Sequence, residues 1–359
     1  MAELSRWHST CAATTLGLSG SHPGNMMSHQ TKPAPLQVKA IGSFYVGGEI
    51  RTLTGLPIRH RVSTPGGPTY PVDPNGEVAV GQMYVHYVCL AAPRTPIPLL
   101  MWHGGGMTGA NWETTPDGRP GWQWFFLRAG INVFISDAVE RGRSGFAPYP
   151  DVYAEAPYFR TAKEAWEKTF RFGPAGSYHR ASTQRRAHPD CRFPLVSFDT
   201  FMKQSVPRWD CNDALTQAAY DALVTTVGDC FLLIHSQGGN FGTHAALAAP
   251  DKVKAVIAIE PSGAPDPAKH DPSLLKDVPH LFVWGDHLEG NDFWEKYQPG
   301  ARRWYEALIA AGAPATWIEL PEQGIRGNSH ALMMDDNSSQ IAGMIMDWLL
   351  RTVPGAFSS

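Results

Sequence analysis

Short apolar runs alternate with helical patterns along most of the chain. The apolar runs are IPLLMW (97–102), INVFISD (131–137), FLLIHS (231–236), KAVIAIE (254–260), HLFVWGD (280–286) and ATWIELP (315–321). The helical patterns between or after them are GWQWFFLRAG, ALTQAAYDALVTTVG, GGNFGTHAALAAP, ARRWYEALIAAG and SSQIAGMIMDWLLRTV. Because strands that alternate with helices form parallel sheets covered on both faces, this pattern predicts an α/β fold with a mainly parallel sheet.

Two segments depart from this alternation. Residues 1–38 are rich in Ser, Thr, Gly, Pro and His, so we expect a loose leader ahead of a single domain over residues 39–359. Near the start of that domain, GSFYVGGE and VAVGQMYVHYVCLA predict two further strands. Residues 146–210 contain prolines, aromatic and basic residues but no predicted strand. A connection of this length is usually functional, which predicts a lid or cap insertion; a structural excursion unrelated to substrate is the alternative.

The composition narrows the class of protein and its partners. The chain of 359 residues is 43% hydrophobic, which excludes a disordered protein, and its net charge of −3 comes without a basic block. We therefore expect a small-molecule substrate and no nucleic-acid partner. No apolar stretch has the length of a membrane span, and the N-terminus lacks the pattern of a signal peptide. A cytoplasmic protein is the resulting expectation, and a homodimer remains open.

The cysteines give no sign of a metal centre. They are scattered, odd in number and without C-x-x-C spacing, which is unlike a zinc cage or a dense disulfide framework. The five are Cys11, Cys89, Cys191, Cys211 and Cys230. We expect free thiols, with a disulfide as the alternative, and neither a metal nor a cofactor.

Ser236 ends one of the buried strands and begins a helical pattern. A serine nucleophile on a sharp strand-to-helix turn needs this position and small neighbours, which Gly238 and Gly239 supply. The usual motif for such a turn is G-x-S-x-G, and here Ile234 replaces its first glycine. The pattern by itself is equally consistent with an ordinary helix N-cap.

A glycine-rich loop follows the strand IPLLMW, with the sequence HGGGMTG (103–109). Acyl transfer needs two backbone N–H groups directed at the developing oxyanion, and a loop after an earlier strand usually provides one of them. The predicted donors of this oxyanion hole are the amides of Gly105 and Gln237. A flexible turn or a phosphate-binding loop is the alternative, although the lysine of a GxxxxGK[ST] motif is missing.

The loop GIRGNSHALMMDDN lies between the last predicted strand and the last helix and contains His330. A histidine at this point, after the serine in the chain, is where a general base is expected. A carboxylate is then needed to fix the imidazole tautomer. Asp286 ends the strand HLFVWGD, and Glu260 ends the preceding strand, KAVIAIE. The pattern alone does not choose between them.

Other residues near these loops have weaker predicted roles. We expect His103 to orient the glycine loop through its ring nitrogens, and the His235 side chain to point away from the nucleophile. Three tryptophans that follow the loop are candidates for an aromatic wall beside the substrate, with burial in the core as an equal alternative: Trp112, Trp122 and Trp124. RGRSG (141–145) is expected to form a structural turn, with a contact to an acidic substrate as the minor alternative.

Six segments together resemble a small bacterial esterase family of the α/β-hydrolase superfamily. They are HGGGMTGANWETTPDGRPGWQWFFLRAG, ISDAVERGRSG, HSQGG, IEPSG, WGDH and GNSHALMMDDN, within a resemblance that covers roughly residues 40–352. The resemblance implies the α/β-hydrolase fold, a serine nucleophile and a glutamate acid after the sixth strand. Glu260 falls on that position, so the resemblance favours Glu260 as the acid and leaves Asp286 as the fallback.

The chain departs from this family at two points. In the best-known member two adjacent cysteines form a vicinal disulfide in the oxyanion loop, and this chain has Gly105 and Gly106 there. We therefore expect a loop that is more mobile or is braced by packing from Trp102 and Met107. Ile234 also stands where a smaller residue is usual, which affects the packing of the turn before Ser236.

These observations predict a serine hydrolase that cleaves an ester or lactone through an acyl-enzyme intermediate, with Ser236, His330 and Glu260 as the catalytic triad. The alternative within the same fold is C–C bond hydrolysis, or a condensation or cyclisation step of a biosynthetic pathway. An alternative of another class is a binding module without catalysis, for which the intact Ser, His and acid positions give no reason.

Overall fold

Residues 34–358 are described by the computed structural model of the chain. Its ten strands are β1 (Val38–Leu53), β2 (Arg59–Arg61), β3 (Tyr70–Val72), β4 (Gly76–Leu90), β5 (Leu99–Trp102), β6 (Val133–Asp137), β7 (Cys230–His235), β8 (Val253–Ile259), β9 (His280–Trp284) and β10 (Ala315–Glu319). Its eight α-helices are α1 (Ala110–Glu113), α2 (Trp122–Arg128), α3 (Ala162–Glu164), α4 (Phe198–Met202), α5 (Asp213–Val227), α6 (Gln237–Ala248), α7 (Trp294–Ala310) and α8 (Ser338–Thr352). The predicted leader lies outside the described residues, apart from its last few positions.

Eight of the strands form one sheet in the order β1-β4-β6-β5-β7-β8-β9-β10. β1 pairs with β4 and β4 pairs with β6 in antiparallel fashion, and every other neighbouring pair is parallel. These eight are the eight strands predicted from the sequence. The prediction of a mainly parallel sheet flanked by helices is confirmed.

The sheet is buried on both faces because its central strands are apolar throughout. Successive residues of these strands point to opposite faces, so Leu233 belongs to one apolar cluster and Ile234 to the other. The first cluster includes side chains of α2 and α8, and the second includes side chains of α5, α6 and α7. This arrangement fixes the carboxyl ends of the parallel strands along one edge of the sheet.

Two elements differ from the sequence-based expectation. β2 and β3 form a small separate sheet in the Gly/Pro-rich connection between β1 and β4. α7 begins at Trp294 and contains Pro299, whereas the pattern predicted a helix only from Ala301. The Trp294 side chain is buried, and its Nε1–H donates to the carbonyl of Thr169 at 2.9 Å. Tertiary packing of this side chain explains why the helix extends past the proline.

Residues 146–210 form no strand within the described structure, as predicted, and contain only short helices and turns. Six of their aromatic side chains are buried in the same cluster as the sheet: Trp166, Phe170, Phe172, Phe193, Phe198 and Phe201. Their rings contact one another in edge-to-face and tilted pairs. This segment, which we call the lid, is therefore continuous with the main core.

The described cysteines are free thiols: Cys89, Cys191, Cys211 and Cys230. Among residues 34–358, no helix is both long enough and apolar enough to cross a membrane.

Candidate active site

The carboxyl ends of neighbouring parallel strands bring the predicted site residues together. Ser236 follows β7, and Glu260 follows β8, the next strand in the sheet. The pairing of His235 with Ile259 places these two residues side by side. His330 comes from the loop after β10, which reaches back to this edge. Three residues separated by up to 94 positions in the chain thus lie around one point.

Ser236 lies on a strained turn between β7 and α6. Its φ of 53° and ψ of −119° place a non-glycine residue in a sparsely populated backbone region. Such a conformation costs about 1–3 kcal/mol and persists only where the surrounding structure enforces it. Ser236 occupies the N-cap position of α6, but its side chain makes no capping hydrogen bond. The N-cap alternative therefore has no geometric support.

The glycines that follow the serine are required by close packing. A Cβ at Gly238 would lie 2.9 Å from the carbonyl oxygen of His103, and one at Gly239 would lie 2.4 Å from Cβ of Pro261. A Cβ at Gly104 would likewise lie 2.9 Å from Cβ of Ser236. These contacts show why the turn needs small residues on both sides.

His330 and Glu260 form a buried hydrogen-bonded pair. The Nδ1–H of His330 donates to Oε2 of Glu260 at 2.5 Å, and both side chains are at most 1% exposed. The ring of His330 packs at 4.2 Å from that of Trp294 and at 5.5 Å from that of Phe170. Its Nε2 has no hydrogen-bond partner among the described residues. That nitrogen is consequently able to accept a proton.

Arg171 of the lid completes the environment of Glu260. Its Nη2 donates to Oε1 of Glu260 at 2.6 Å, and the amide of Gly285 donates to the same oxygen at 2.6 Å. Arg171 also donates from Nε to the carbonyl of Asp286 at 2.8 Å. A buried carboxylate is costly unless its lone pairs are satisfied, and here three donors satisfy Glu260.

Asp286, the other candidate acid, makes different contacts. Its carboxylate accepts the amides of His287 at 2.8 Å and Gly327 at 2.9 Å. Burial alone would raise the pKa of Asp286, but these two backbone donors lower it. No hydrogen bond joins this carboxylate to His330 in the described structure. The geometry therefore associates Glu260, and not Asp286, with the histidine.

Burial and neighbouring charge set the protonation of His330. Removal of the ring from water lowers its pKa well below the ordinary 6.5, and the positive charges of Arg171 and Arg160 lower it further. The imidazole is consequently neutral at neutral pH, with its proton on Nδ1 facing Glu260.

The two predicted oxyanion donors lie beside the serine. Gly105 and Gln237 both line a cavity of about 180 Å³ that also contains Ser236. Gln237 is the first residue of α6, where a backbone N–H has no partner within the helix. Neither amide donates to another group in the described part of the chain. Both are thus available to a substrate oxygen.

Each predicted oxyanion donor shares its peptide unit with a carbonyl that accepts hydrogen bonds. The Gly104 carbonyl, in the same peptide unit as the Gly105 amide, accepts Nδ1–H of His103 at 2.8 Å and Nη1 of Arg141 at 3.4 Å. The Ser236 carbonyl, in the unit of the Gln237 amide, accepts two backbone amides at 2.9 Å. Hydrogen bonds to a carbonyl polarise the whole peptide unit and therefore strengthen its N–H as a donor.

Hydrogen bonds from the lid hold the backbone of the glycine loop. Arg160 donates to the Gly105 carbonyl at 2.8 Å, and the amide of Val206 donates to the Gly106 carbonyl at 2.9 Å. Trp102 and Met107, which were expected to brace the loop by packing, are buried in opposite apolar clusters. The expectation thus missed the hydrogen bonds, because their donors come from the lid.

The other two histidines hold backbone groups of the site. Ring Nε2 of His103 accepts the amide of Ala138 at 2.9 Å, so this ring orients the loop as predicted. Burial, and after it the charge of Arg141, lowers the pKa of His103 to about 4. His235 contacts the carbonyl of His330 through Nε2 at 2.9 Å. It therefore supports the histidine loop and does not face the serine.

The three candidate tryptophans lie away from the cavity beside Ser236. Trp112 and Trp122 are buried and stack at 5.9 Å, and Trp122 donates to the carbonyl of Ser338 on α8. Trp124 is 43% exposed on α2, with the Arg128 guanidinium over its ring. For Trp112 and Trp122 the structure agrees with the alternative of burial in the core, because both rings fill the interface between α2 and the rest of the core.

Sequence reasoning did not single out the arginines of this site. Arg141 was predicted as part of a structural turn, with contact to an acidic substrate as the minor alternative, and its Nη2 donates to Oε1 of Gln237 at 2.8 Å. Arg160, Arg171 and Arg208 come from the lid, whose basic composition was the only signal in the sequence. One residue of the RGRSG segment does follow the prediction, since Arg143 pairs with Asp137 at 2.8 Å within the turn.

One group of residues in the described structure has the donor atoms of a metal site. Ligand atoms of Asp190, Asp286 and His287 all lie within 4.8 Å of one another. In the present geometry Nε2 of His287 contacts Oδ1 of Asp190 at 2.9 Å. These contacts join the lid to the loop after β9.

Comparison with known proteins gives two informative similarities. No protein-family model matches the chain. A solved structure described as that of a novel bacterial esterase is 33% identical, with a TM-score of 0.74, and the match covers 90% of this chain and 99% of the esterase. The chain is also 28% identical over 328 residues to a probable secreted lipase, phiG, of Fungal sp. (strain ATCC 74256). That match covers 74% of this chain and 85% of the lipase.

Proposed function

The chain belongs to the α/β-hydrolase superfamily, in the family of the bacterial esterase that it matches, and we propose that it is a serine hydrolase of carboxylic esters or lactones. The observation that carries this proposal is the buried hydrogen bond between His330 and Glu260 at the edge of the sheet where Ser236 occupies its strained turn. Both relatives are named as enzymes that act on esters, an esterase and a lipase.

The first half of the reaction forms an acyl-enzyme. Nε2 of His330 takes the proton of the Ser236 hydroxyl while Oγ attacks the acyl carbon. Glu260 accepts the Nδ1–H and stabilises the imidazolium that results. The histidine then gives the proton to the leaving alkoxide oxygen, so the carbon–oxygen bond of the ester breaks and the alcohol departs.

The second half releases the acid. Water attacks the acyl-enzyme, His330 takes one of its protons, and that proton returns to Oγ of Ser236 as the carboxylic acid leaves and then ionises in solution. In both halves the amides of Gly105 and Gln237 donate to the oxyanion. Removal of one such donor typically lowers the rate by about 100-fold or more.

The alternatives predict different reactions at the same serine. C–C hydrolysis or a condensation would use the same triad, and no described contact favours either over ester cleavage. The fungal relative is named as secreted, whereas our expectation for this chain is cytoplasmic; that location stays a prediction.

The test is p-nitrophenyl acetate turnover together with labelling by a fluorophosphonate probe. We expect the wild type to hydrolyse the ester and to be labelled, and Ser236→Ala to lose about 10⁴-fold or more of the turnover and all labelling. Ser182→Ala, an exposed serine of the lid, is the matched control and should behave as wild type. Equal turnover in Ser236→Ala would exclude this serine as the nucleophile.

A further inference from the structure

The cavity beside Ser236 is lined by two guanidinium groups of the lid. Arg160 and Arg208 both border it, together with Gly105, Ser236 and Gln237. Arg160 uses Nη1 for the Gly105 carbonyl, and Arg208 uses Nη2 for Asp210 at 2.6 Å. Nε of each arginine is buried without a hydrogen-bond partner, and the described hydrogen bonds use only Nη1 of Arg160 and Nη2 of Arg208. Each arginine therefore keeps terminal donors for another acceptor.

The nearby carboxylates leave this positive charge only partly balanced. Glu164 and Asp210 also line the cavity, but Glu164 accepts the hydroxyl of Tyr158, and the Asp210 side chain is 71% exposed to water. Arg160 forms no ion pair within the described residues. Burial lowers the pKa of its guanidinium, which indicates that the charged form lacks full compensation. An anion in the cavity would supply it.

The glycine loop allows the guanidinium groups to approach the reacting centre. A Cβ at Gly105 would lie 2.9 Å from Nη1 of Arg208, and one at Gly106 would lie 3.3 Å from Nη1 of Arg160. Gly106 also has a φ of 69°. A side chain at Gly105 would have to displace Arg208, so the arginine and the glycine fit each other at the position next to the predicted oxyanion hole.

A buried hydroxyl adds a further donor. Thr169 lines the same cavity, is only 3% exposed, and its Oγ1 has no hydrogen-bond partner in the described structure. A buried hydroxyl without a partner is costly, and a ligand acceptor would remove that cost. The hydroxyls of Ser262 and Tyr297 belong to the same lining. The cavity thus offers donors of both kinds, charged and neutral.

We propose that this cavity binds a carboxylate of the substrate, so that the enzyme acts on half-esters of short dicarboxylic acids through Arg160 and Arg208. The inference rests on the proposed function, because it names the acyl group that Ser236 attacks. A volume of about 180 Å³ corresponds to roughly six water volumes, which suits a carboxylate and a short methylene chain. Arginine binds carboxylates with charge-assisted and often bidentate hydrogen bonds.

The test compares two esters of matched length, monoethyl glutarate and ethyl pentanoate, by pH-stat titration. They differ in a terminal carboxylate against a methyl group. We expect the wild type to have a higher kcat/KM for monoethyl glutarate. Arg208→Gln should lower the ratio of the two kcat/KM values about tenfold or more, mainly through KM. Arg208→Lys, which keeps the charge, should retain part of the preference.

Arg180→Gln is the matched control, because Arg180 is an exposed lid arginine outside the cavity, and it should keep the wild-type ratio. A wild type that hydrolyses ethyl pentanoate at least as well, or a ratio unchanged in Arg208→Gln, would overturn the inference and leave the proposed function intact. If neither ester is cleaved, the proposed function fails on these substrates. Calorimetric binding of glutarate to wild type and Arg208→Gln then decides the inference separately.

Discussion

At the scale of single residues, the acid of the site is decided by hydrogen bonds. Glu260 has a φ of 41°, so its backbone is held in a conformation that non-glycine residues rarely adopt. Its two carboxylate oxygens accept three donors, one of which is the histidine. The carboxylate oxygens of Asp286 accept one amide of its own loop and one amide of the loop that contains His330. Glu260 therefore orients the imidazole of His330, whereas Asp286 orients the backbone of the two loops.

The two carboxylates should therefore respond differently to neutral substitution. Glu260→Gln should lower kcat by about 10⁴-fold, because an amide can neither hold the Nδ1–H tautomer nor stabilise the imidazolium. Asp286→Asn should remain within about tenfold of wild type, since it weakens only the two hydrogen bonds from backbone amides. Steady-state kinetics on p-nitrophenyl acetate measures both.

Folding has to be checked in the same experiment. Glu260→Gln leaves Arg171 without its buried partner, and breaking such a pair typically costs about 3–5 kcal/mol. Activity is therefore compared below the thermal transition of each variant, followed by circular dichroism. A larger kcat loss in Asp286→Asn than in Glu260→Gln, with both variants folded, would assign the acid to Asp286.

At the scale of elements, the turn at Ser236 depends on the fit of β7 against α6. Ile234 replaces the small residue usual at this point, and the structure accommodates it with a glycine on the facing helix. A Cβ at Gly242 would lie 2.5 Å from Cγ2 of Ile234. The volume added in the strand is thus matched by volume removed from the helix, and the position of α6 behind Ser236 is preserved.

Because of this packing, replacement of glycine by alanine should change the free energy of unfolding in opposite directions at two helical positions. Gly242→Ala should destabilise the protein by about 1–3 kcal/mol through overpacking against Ile234. Gly343→Ala on α8, where a Cβ would meet nothing within 4 Å, should stabilise by about 0.5–1 kcal/mol through helix propensity. Urea unfolding followed by tryptophan fluorescence compares them. A Gly242→Ala variant as stable as Gly343→Ala would contradict the close fit.

At the scale of the whole molecule, the lid contributes directly to the site. Its Phe170 carbonyl accepts the amide of His330 at 3.1 Å, its Arg171 contacts Glu260, and its Arg160 contacts the glycine loop. Because the aromatic side chains of the lid belong to the main core, these contacts are fixed by the packing of the whole domain. This segment is therefore a structural part of the site, and a covering role stays a prediction.

The pH dependence of kcat/KM should reflect the charges that the lid places near His330. The base role proposed for His330 requires a neutral imidazole, and burial together with Arg171 and Arg160 lowers its pKa below 6.5. Activity should consequently be retained below pH 6.5 and fall only at lower pH, as the imidazole becomes protonated. Removal of one positive charge in Arg160→Gln should move this acid limb of the kcat/KM profile to higher pH. Profiles of wild type and variant, with fluorescence to verify folding at each pH, provide the measurement.

An acid limb above pH 6.5 in the wild type would contradict this account. A limb that stays in place in Arg160→Gln would exclude Arg160 as a source of the shift. Ser236→Ala gives the background rate that is subtracted at each pH.

The sequence by itself determined the order of strands and helices and the edge of the sheet where chemistry occurs. Apolar runs that end in Ser236, in Glu260 and next to the glycine loop specify parallel strands, and parallel strands place their carboxyl ends together. For that reason the parallel strands β5 to β10 were predictable, whereas the α/β-hydrolase fold was what the resemblance to the esterase family implied. A short apolar run is enough to predict the central strands, since β5 and β7 are buried along their whole length.

Only the tertiary structure decided which side chains surround the serine. The pattern left Glu260 and Asp286 equal because both end strands, and hydrogen bonds to His330 and Arg171 separate them. The sequence did not indicate whether the tryptophans after the glycine loop face a cavity or the core, since that depends on how α2 packs. Arg160 and Arg208 belong to the lid, whose sequence shows no periodicity. Only the packing of the aromatic residues of the lid brings these arginines to the glycine loop.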